Sequence, residues 1–528
     1  MRHKGLTAAL AVACLALTTA CGGGSSSSSS QGASERKAQT SDCPPVDKAQ
    51  IDPTATFTWI YSVGNTSFDP NKITTNNSQM YLYPIYDSLV HVDAAGEPKP
   101  MLAKDWKISD DGKSVTMNLI DNWTYHDGTP FDAASVKANL ERNKTPGGWN
   151  EQALSDVADI KVVDKDTVTI TTNSGAPALI PVLAGSAGMM MSPAVFNDPK
   201  QALTPTGGSG AFKVTAYQPG SKVEYTAVDK YWDPDSLHVA KMNYLISGDD
   251  NARLNSVITG QSDSTFLRAS MYDAAKQAKQ VVCEAPSLSS YNIALNTKKA
   301  EFGKKEVRQA LNYAIDRKSI SAVTDGFCKP GIQMYPDFYF AANADLGPDK
   351  YAYDPGKATD LLKKAGLDKG FEFTLEVVNL ALYQQIAEVI QANLQAVNIK
   401  MNIVPVDIGK LADDFSVAKT SDASLFEQKA EQDPSIQVES YLSPDGFNNP
   451  GGWSNDKITD LAKEALSGKS NEERGKSYSK LFQVAHDEAA PFVTLCHLTT
   501  PFVMNDKTMG VEIYADATRQ FRGVAKKK

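Results

Sequence analysis

The sequence predicts an α/β protein in which helices cover a mixed β-sheet. Segments whose apolar residues alternate with period two, as in half-buried strands, are interspersed with segments of helical spacing. The composition is that of a globular protein, with 41% hydrophobic and 22% charged residues. The length of 528 residues corresponds to about three compact units at roughly 100 to 200 residues each. A core of that size needs neither a metal nor a disulfide in order to fold.

Strand-like segments predominate in the first half of the chain. Residues 57–63 predict a strand, which is followed by a loop at 64–70. Residues 114–119 and 166–171 alternate with period two and come after Asp-Gly or Asp-Lys turns, which predicts hairpin strands. Residues 133–143 carry helical spacing and predict a helix between these two strands.

Longer amphipathic helices appear from Lys305 onwards, with buried-looking strands between them. We predict helices at 306–315, 355–364, 384–397 and 458–466, and strands at 373–378 and 400–406. Arg308 and Asp316 lie near one face of the first of these helices. We interpret both as ions at the helix surface or at an interface.

The first 20 residues predict an export signal. Residues 2–4 are basic, residues 6–17 form an apolar run, and small residues at 18–20 precede Cys21. The run is too short to span a hydrocarbon core of ~30 Å, so a cleaved signal is favoured over an anchor helix. Cys21 in this position resembles the cysteine of the bacterial lipobox, which implies a lipidated thiol at the start of the mature chain. The alternative is an ordinary secretory signal with an incidental cysteine.

Residues 21–43 predict a flexible tether, because they are rich in Gly and Ser and have few side chains that could pack. Two acyl chains on Cys21 would hold the protein stably at a membrane, where one chain would not. We therefore expect an exported protein of the cell envelope or periplasmic space, anchored to the outer face of the cytoplasmic membrane.

Four cysteines remain in the folded part of the chain after the signal and the lipidated residue are set aside. They are Cys43, Cys283, Cys328 and Cys496. Four thiols allow three complete pairings, among which the sequence does not choose. The chain has no Cys-x-x-Cys motif, and the spacings are too wide for a zinc site. One or two structural disulfides are favoured over a metal site.

Charge and motifs exclude several functional classes. The formal net charge of −9 disfavours binding to nucleic acid, whose phosphates a negative surface repels. The sequence contains no zinc-protease, nucleophile-elbow or P-loop motif, so an enzyme is not expected. An exported glycoside or peptide hydrolase stays the alternative from another class. No cluster of soft ligands indicates a cofactor or a metal.

Short motifs follow one another in a characteristic order from about residue 55 to about residue 510. They include NTSFDP at 65–70, YDSLV at 86–90, WTYHDGTPF at 123–131, VRQALNYAIDR at 307–317 and GGWSND at 451–456. In this order they resemble the extracellular solute-binding proteins, of lipoprotein type, that serve the peptide/nickel (oligopeptide/dipeptide) class of ABC importers.

The resemblance implies a two-lobed, periplasmic-binding-protein-like fold of the venus-flytrap type, with an extra subdomain in the first lobe. The first lobe would comprise residues 44–297, with the subdomain at about 72–203. The second lobe would comprise residues 298–494, and residues 495–528 would return to the first lobe and form the tail.

The resemblance also implies a function. A monomer without a cofactor would enclose a small molecule or peptide between its lobes and pass it, unmodified, to an ABC permease and ATPase complex. Closure would be stabilised by contacts to the ligand that exist only in the closed form. A receptor that signals to a membrane partner would have the same fold.

Eight residues are the candidate ligand contacts. Three lie on the loop after the first strand, two lie near the proposed crossover between lobes, and three lie on second-lobe segments that resemble the cleft wall. They are Asn65, Thr66 and Ser67; Tyr291 and Asn292; and Glu431, Asp433 and Trp453.

Two positions in the sequence indicate the class of ligand. Dipeptide-binding members of the family have an Asp before an acidic-Pro pair and an Arg before the helix equivalent to 384–397. The matching positions here are Ala430, with Glu431 beside it, and Leu380. An enclosed zwitterion without opposite charges costs several kcal/mol. An oligopeptide held by its backbone therefore stands first, and a sugar, an oligosaccharide or another non-peptide solute is the alternative.

Overall fold

An eleven-stranded mixed sheet is the centre of the computed structural model, which describes residues 41–428 and 433–528. Ten strands follow the order β15-β14-β16-β12-β17-β11-β1-β10-β9-β8, and β13 pairs with β17 beside this path. The strands are β1 (Thr56–Tyr61), β2 (Val90–Val92), β3 (Pro98–Pro100), β4 (Ala103–Ile108), β5 (Ser114–Leu119), β6 (Val157–Asp164), β7 (Thr167–Thr172), β8 (Phe212–Gln218), β9 (Lys222–Ala227), β10 (Lys241–Ile246), β11 (Ser264–Thr265), β12 (Val281–Leu295), β13 (Cys328–Pro330), β14 (Phe371–Val378), β15 (Ile399–Val406), β16 (Ala423–Gln428), β17 (Phe492–Met504), β18 (Thr508–Met509) and β19 (Ala525–Lys526).

Helices cover the strands, as the alternation of periodicities predicts, and the α/β class is confirmed. The α-helices are α1 (Ala133–Asn143), α2 (Ala176–Val182), α3 (Asp250–Ile258), α4 (Tyr272–Gln277), α5 (Ala300–Gly303), α6 (Lys305–Ala314), α7 (Arg317–Val323), α8 (Pro355–Lys364), α9 (Ala381–Gln395), α10 (Ile408–Ala412), α11 (Pro434–Leu442), α12 (Asp456–Ser467) and α13 (Asn471–Asp487).

Two long antiparallel strands, β12 and β17, join the two halves of the large sheet. β12 has 15 residues and β17 has 13. Their residues enter two separate hydrophobic cores: Cys283 and Phe502 belong to one, and Ile293 and Leu495 belong to the other. The ladder between the strands is interrupted by a register shift after Pro286. This is the two-lobed arrangement that the resemblance implies, whereas the lobe boundaries given above stay predictions.

A second sheet, in the order β4-β5-β7-β6, lies within the region of the expected subdomain. It shares a core with α1, to which Met117 and Leu140 contribute. The helix begins after Asp132, whose side chain accepts a hydrogen bond from the backbone N–H of Ser135 at 2.8 Å. This cap satisfies one of the unpaired donors at the helix start.

The structure contains two disulfides among the described residues. Cys43 pairs with Cys283 on β12, and Cys328 on β13 pairs with Cys496 on β17. The sequence left three pairings open, and the fold brings these partners together across separations of 240 and 168 residues. Both bonds end on the strands that connect the two cores.

Arg308 is buried, so its interpretation as an ion at the helix surface is wrong, and it lies instead at the interface of α6 with other helices. Its guanidinium donates to carbonyl oxygens of α5 and to those of Glu488 and Ala489, just beyond α13. These carbonyls lie at helix ends, where they lack partners within the helix. Asp316 lies beyond the end of α6 and caps α7 instead.

In the described part of the chain no helix combines the length and the apolar character that a bilayer crossing requires. The same residues contain no group of three or more His, Cys, Asp or Glu side chains that could hold a metal ion.

His497 on β17 makes stability depend on pH. Burial lowers its pKa to about 4, and its Nε2 lies 3.0 Å from the carbonyl oxygen of Gln333, to which it donates. In the unfolded chain the imidazole titrates near a pKa of about 6.5. Between these values the unfolded state binds more protons, so stability falls as the pH decreases.

We expect His497 to account for a loss of about 2 kcal/mol in the free energy of unfolding between pH 7 and pH 5. The measurement is denaturant unfolding of wild type and His497→Gln at both pH values. Glutamine can still donate to Gln333 but does not titrate, and the other buried histidines act equally in both proteins. An equal loss in the two proteins would contradict the assignment.

Candidate functional site

The carboxyl ends of three parallel strands meet at one edge of the large sheet. β1 pairs in parallel with both β10 and β11, so that Tyr61 is opposite Ile246 and the neighbouring Ile60 is opposite Thr265. In open α/β sheets, ligands bind in the crevice outside such carboxyl ends. The loops that leave this edge therefore form the first candidate surface for a ligand.

The loop after β1 contains Asn65, Thr66 and Ser67. Thr66 is exposed, and its hydroxyl lies 2.9 Å from that of Ser78. Ser67 is buried and accepts a hydrogen bond from the backbone of Asp69 at 3.0 Å. Oδ1 of Asn65 accepts from the Ser67 amide, whereas its Nδ2 is buried without a partner among the described residues. Asn65 and Thr66 thus offer polar groups, and Ser67 holds the loop in shape.

The C-terminal segment brings Arg519 to the same edge. Its guanidinium carbon Cζ lies 4.9 Å from the ring centroid of Tyr61, at the end of β1, and 4.7 Å from that of Phe266, directly after β11. Its Nε is buried without a hydrogen-bond partner. Burial lowers the pKa of Arg519, and the hydroxyls of Tyr61 and Tyr272 oppose that shift. We refer to Arg519, Tyr61 and Phe266 as the arginine clamp.

A second group of charges lies beside the arginine clamp. Arg253 and Arg268 both pair with Asp250 near the start of α3. Arg253 is buried and also donates to the carbonyl oxygen of Phe266 at 3.2 Å, whereas the side chain of Arg268 is 78% exposed. One carboxylate thus faces two guanidinium groups. Asp249 caps the same helix start, so two carboxylates balance these two guanidinium groups, and Arg519 adds a positive charge at this edge.

Tyr291 and Asn292 follow one another on β12 and therefore point to opposite faces of the sheet. Tyr291 is buried, with its ring centroid 5.3 Å from that of Tyr383, and burial raises its pKa above the ordinary value. Nδ2 of Asn292 donates to the hydroxyl of Ser290 at 2.8 Å. Both residues lie on the strand that connects the two cores.

Buried polar atoms without protein partners surround Asn292. They are its own Oδ1, the hydroxyl of Thr494 on β17 and both amide atoms of Gln428 on β16. A cavity of about 40 Å³ is bounded in part by Thr494. Water is the usual partner of such groups in a cavity with polar walls.

Asp433 is buried in an ion pair. Its Oδ2 lies 2.7 Å from Nη1 of Arg474, and its Oδ1 accepts from Nη2 at 2.8 Å and from the backbone N–H of Ser435 at 3.0 Å. The carboxylate therefore caps α11 and neutralises a buried guanidinium. Both of its oxygens are engaged within the protein. Glu431, predicted beside it, lies outside the described residues.

Trp453 lies at the margin of an aromatic core that includes Tyr441 and Phe482. The side chain of Asn449 accepts from its backbone N–H at 3.1 Å and donates to its carbonyl oxygen at 2.7 Å. Cζ of Arg308 lies 5.9 Å from its ring centroid. The indole is partly buried by these contacts.

A cavity of about 50 Å³ lies elsewhere among the described residues, beside Asp87 and Arg522. Asp87 accepts from the hydroxyl of Tyr231 at 2.8 Å and from Nε1 of Trp232 at 2.6 Å, and burial raises its pKa to about 6 against the charge of Arg522. Small-molecule sites usually enclose about 300 to 1,000 Å³. This cavity has room for water and none for a peptide.

The structure thus brings three of the eight predicted residues, Asn65 to Ser67, to the edge that carries the arginine clamp. It places Tyr291 and Asn292 on the connecting strand, Asp433 in an ion pair with Arg474, and Trp453 beside the aromatic core. Sequence reasoning missed Arg519 because no local pattern in the C-terminal segment marks it.

Comparison with known proteins identifies the family. The model of the bacterial extracellular solute-binding proteins, family 5 Middle, matches residues 97–449, which is more than half of the chain. The glutathione-binding protein GsiB of Escherichia coli (strain K12) is 28% identical over 459 residues, covering 83% of this chain and 88% of GsiB.

Two solved structures illustrate the shared fold. MppA, a periplasmic murein tripeptide binding protein in its unliganded open form, matches with a TM-score of 0.81 at 19% identity, over 91% of this chain and 98% of MppA. The periplasmic binding protein DppA from Helicobacter pylori, in complex with peptide STSA, matches with a TM-score of 0.70 at 23% identity, over 91% of this chain and 99% of DppA. The resemblance seen in the motifs is therefore confirmed, and the chain belongs to the bacterial extracellular solute-binding proteins of family 5.

Proposed function

We propose that the protein is the lipid-anchored substrate-binding component of an ABC importer. It captures an oligopeptide or a similar polar solute between its lobes and delivers it, unmodified, to a permease and ATPase complex. Membership of family 5 is the observation that carries the proposal. The relatives described above are binding proteins and not enzymes, which supports capture without chemistry.

The two connecting strands support a hinge. β12 and β17 run from one core into the other, and their ladder is interrupted between the two. A few residues that absorb a change in backbone angles suffice for closure around a ligand. A tenfold bias towards the closed form needs only about 1.4 kcal/mol of contacts that exist in that form alone. A handful of hydrogen bonds across the cleft supplies this amount.

The structural matches support an open form. The TM-score is 0.81 with MppA in its unliganded open form and 0.70 with the peptide complex of DppA, although MppA is less similar to this chain in sequence than DppA is. Since the two share the fold, a different arrangement of the lobes is the simplest reason for the difference. Ligand binding would then convert this form into a more compact one.

The names of the relatives favour a peptide ligand. GsiB binds glutathione, MppA a murein tripeptide and DppA the peptide STSA. In this chain, Thr66 is exposed and its hydroxyl can bind the amide groups of a peptide backbone, and the same loop holds an unused donor in the buried Nδ2 of Asn65. Of the other predicted contacts, Ser67 shapes this loop and Tyr291 and Asn292 lie on the connecting strand, whereas Glu431 lies outside the described residues, so its contact with the ligand rests on the sequence. Asp433 and Trp453 support the second-lobe wall.

The anchor completes the proposal. The export signal at 1–20, Cys21 and the tether as far as residue 40 lie outside the described residues, so their roles rest on the sequence. Cys43, at the end of the tether, is bonded to β12. A lipid on Cys21 would hold the folded part close to a permease in the membrane. The protein would act there as a monomer.

The test is calorimetric titration of the protein with tri- to pentapeptides and with oligosaccharides, together with small-angle scattering. We expect saturable heat with a peptide, recovery of that peptide intact, and a smaller radius of gyration once it is bound. If only an oligosaccharide gives heat, the ligand is a sugar and not a peptide. A cleaved peptide would favour the exported hydrolase, and identical scattering curves with and without bound ligand would contradict closure.

A further inference from the structure

Arg519 is the exception among the arginines that the structure describes. The seven others each have a hydrogen-bonded partner: they are Arg142, Arg253, Arg268, Arg308, Arg317, Arg474 and Arg522. Arg519 has two aromatic rings beside it and no hydrogen bond or ion pair with a described residue. A charge that is taken out of water without a partner lowers stability, so its presence calls for a reason.

The rings hold the guanidinium in place without neutralising it. The centroids of Tyr61 and Phe266 are 6.3 Å apart, and Cζ of Arg519 lies within 5 Å of each. Contacts of this kind orient a cation and contribute about 0.5 to 2 kcal/mol. They leave the donors at the edge of the guanidinium plane available. The side chain keeps part of its surface accessible to solvent.

The position of the clamp matches that of a ligand site. Tyr61 ends β1 and leads into the loop of Asn65, while Phe266 follows β11, so the clamp lies at the carboxyl edge of the parallel strands. The nearby carboxylate of Asp250 is already shared by Arg253 and Arg268. That carboxylate is therefore not a partner of Arg519, whose charge stays available to an incoming anion.

We infer that Arg519 forms the subsite that binds a carboxylate of the captured solute. The inference rests on the proposed capture function and specifies the chemistry of its ligand. A planar guanidinium matches a carboxylate with two parallel hydrogen bonds, which a lysine cannot reproduce. The carboxylate is either the free carboxyl terminus of a peptide or an acidic side chain.

The experiment is calorimetric titration of wild type, Arg519→Gln and Lys213→Gln with three probes. The probes are tetraalanine, tetraalanine amide, and an amidated tetrapeptide with one internal glutamate. Lys213 is exposed on β8, at the end of the sheet order, so its replacement removes the same charge elsewhere. We expect wild type and Lys213→Gln to prefer one carboxylate probe over the plain amide by about tenfold. Arg519→Gln should lose that preference while its affinity for the plain amide is unchanged.

The probe that wild type prefers shows whether the bound carboxylate is a free carboxyl terminus or an acidic side chain. Equal losses for all three probes in Arg519→Gln would overturn the inference while capture of peptides stands. A fall of more than about 5 °C in the melting temperature of ligand-free Arg519→Gln, relative to Lys213→Gln, would also overturn it, because a clamp with a structural role would then be indicated.

If no probe binds, native mass spectrometry of the protein purified from its own cells is the test. A co-purified solute with a carboxylate supports the inference. A solute without an anionic group overturns the inference and leaves capture intact. The absence of any bound solute would overturn the proposed function and the inference together.

Discussion

Replacing Asp433 with Asn is expected to lower the free energy of unfolding by about 3 to 5 kcal/mol. The side chains of Asp433 and Arg474 are 2% and 0% exposed, and one hydrogen bond and a second close ion contact join them. Arg474 also donates to the carbonyl oxygen of Ala465 at 3.1 Å and packs against Phe340 and Tyr478. The variant keeps this packing but leaves the guanidinium charged and unneutralised in a dry interior.

The measurement is denaturant unfolding of wild type and the variant at pH 7, with two controls. Glu372→Gln removes one partner of an exposed pair with Lys400 and should leave the midpoint nearly unchanged. The double variant Asp433→Leu with Arg474→Met removes both charges and should be more stable than Asp433→Asn. A variant Asp433→Asn that keeps wild-type stability but loses affinity for ligand would contradict the structural role and restore the predicted ligand contact.

Element positions could be predicted where a local signal marks them. Helices α1 and α8 have the predicted bounds because Asp132 and Asp354 cap them and apolar residues recur along one face. Helix α9 begins at Ala381, three residues before the predicted start, and no side-chain cap marks that point. Leu380 before it has an extended backbone.

The candidate site could be predicted only in part, because it is assembled from distant segments. Asn65 to Ser67 are predicted as ligand contacts because they follow the first strand, where ligand-binding loops commonly lie. Arg519 is 458 positions from Tyr61 in the chain, and the C-terminal segment reaches that edge only through its packing on the sheet, where Phe521 contacts Phe57 and Trp59. Asp433 is predicted as a ligand contact, whereas the structure shows that it caps α11. Its pairing with the buried Arg474 is set by the packing of the fold, and no sequence motif marks it.

The disulfide Cys328–Cys496 is expected to contribute about 3 to 5 kcal/mol to the free energy of unfolding. It closes a loop with a sequence separation of 168 residues, and the entropy that such a loop removes from the unfolded chain grows with its length. Both cysteines are fully buried in the core to which β14 and β16 also contribute. The change to test is the double variant Cys328→Ala with Cys496→Ala, unfolded by denaturant under oxidising conditions.

Two comparisons separate the covalent bond from the packing of its sulfur atoms. Wild type unfolded in the presence of a thiol reductant loses the bonds but keeps every side chain, so its midpoint should fall at least as far as that of the double alanine variant. The matched variant Cys43→Ala with Cys283→Ala opens the loop of 240 residues and should lose a similar amount, because the entropy depends only logarithmically on length. Midpoints that coincide for oxidised wild type, reduced wild type and both variants would show that the unfolded chain is already constrained without these bonds.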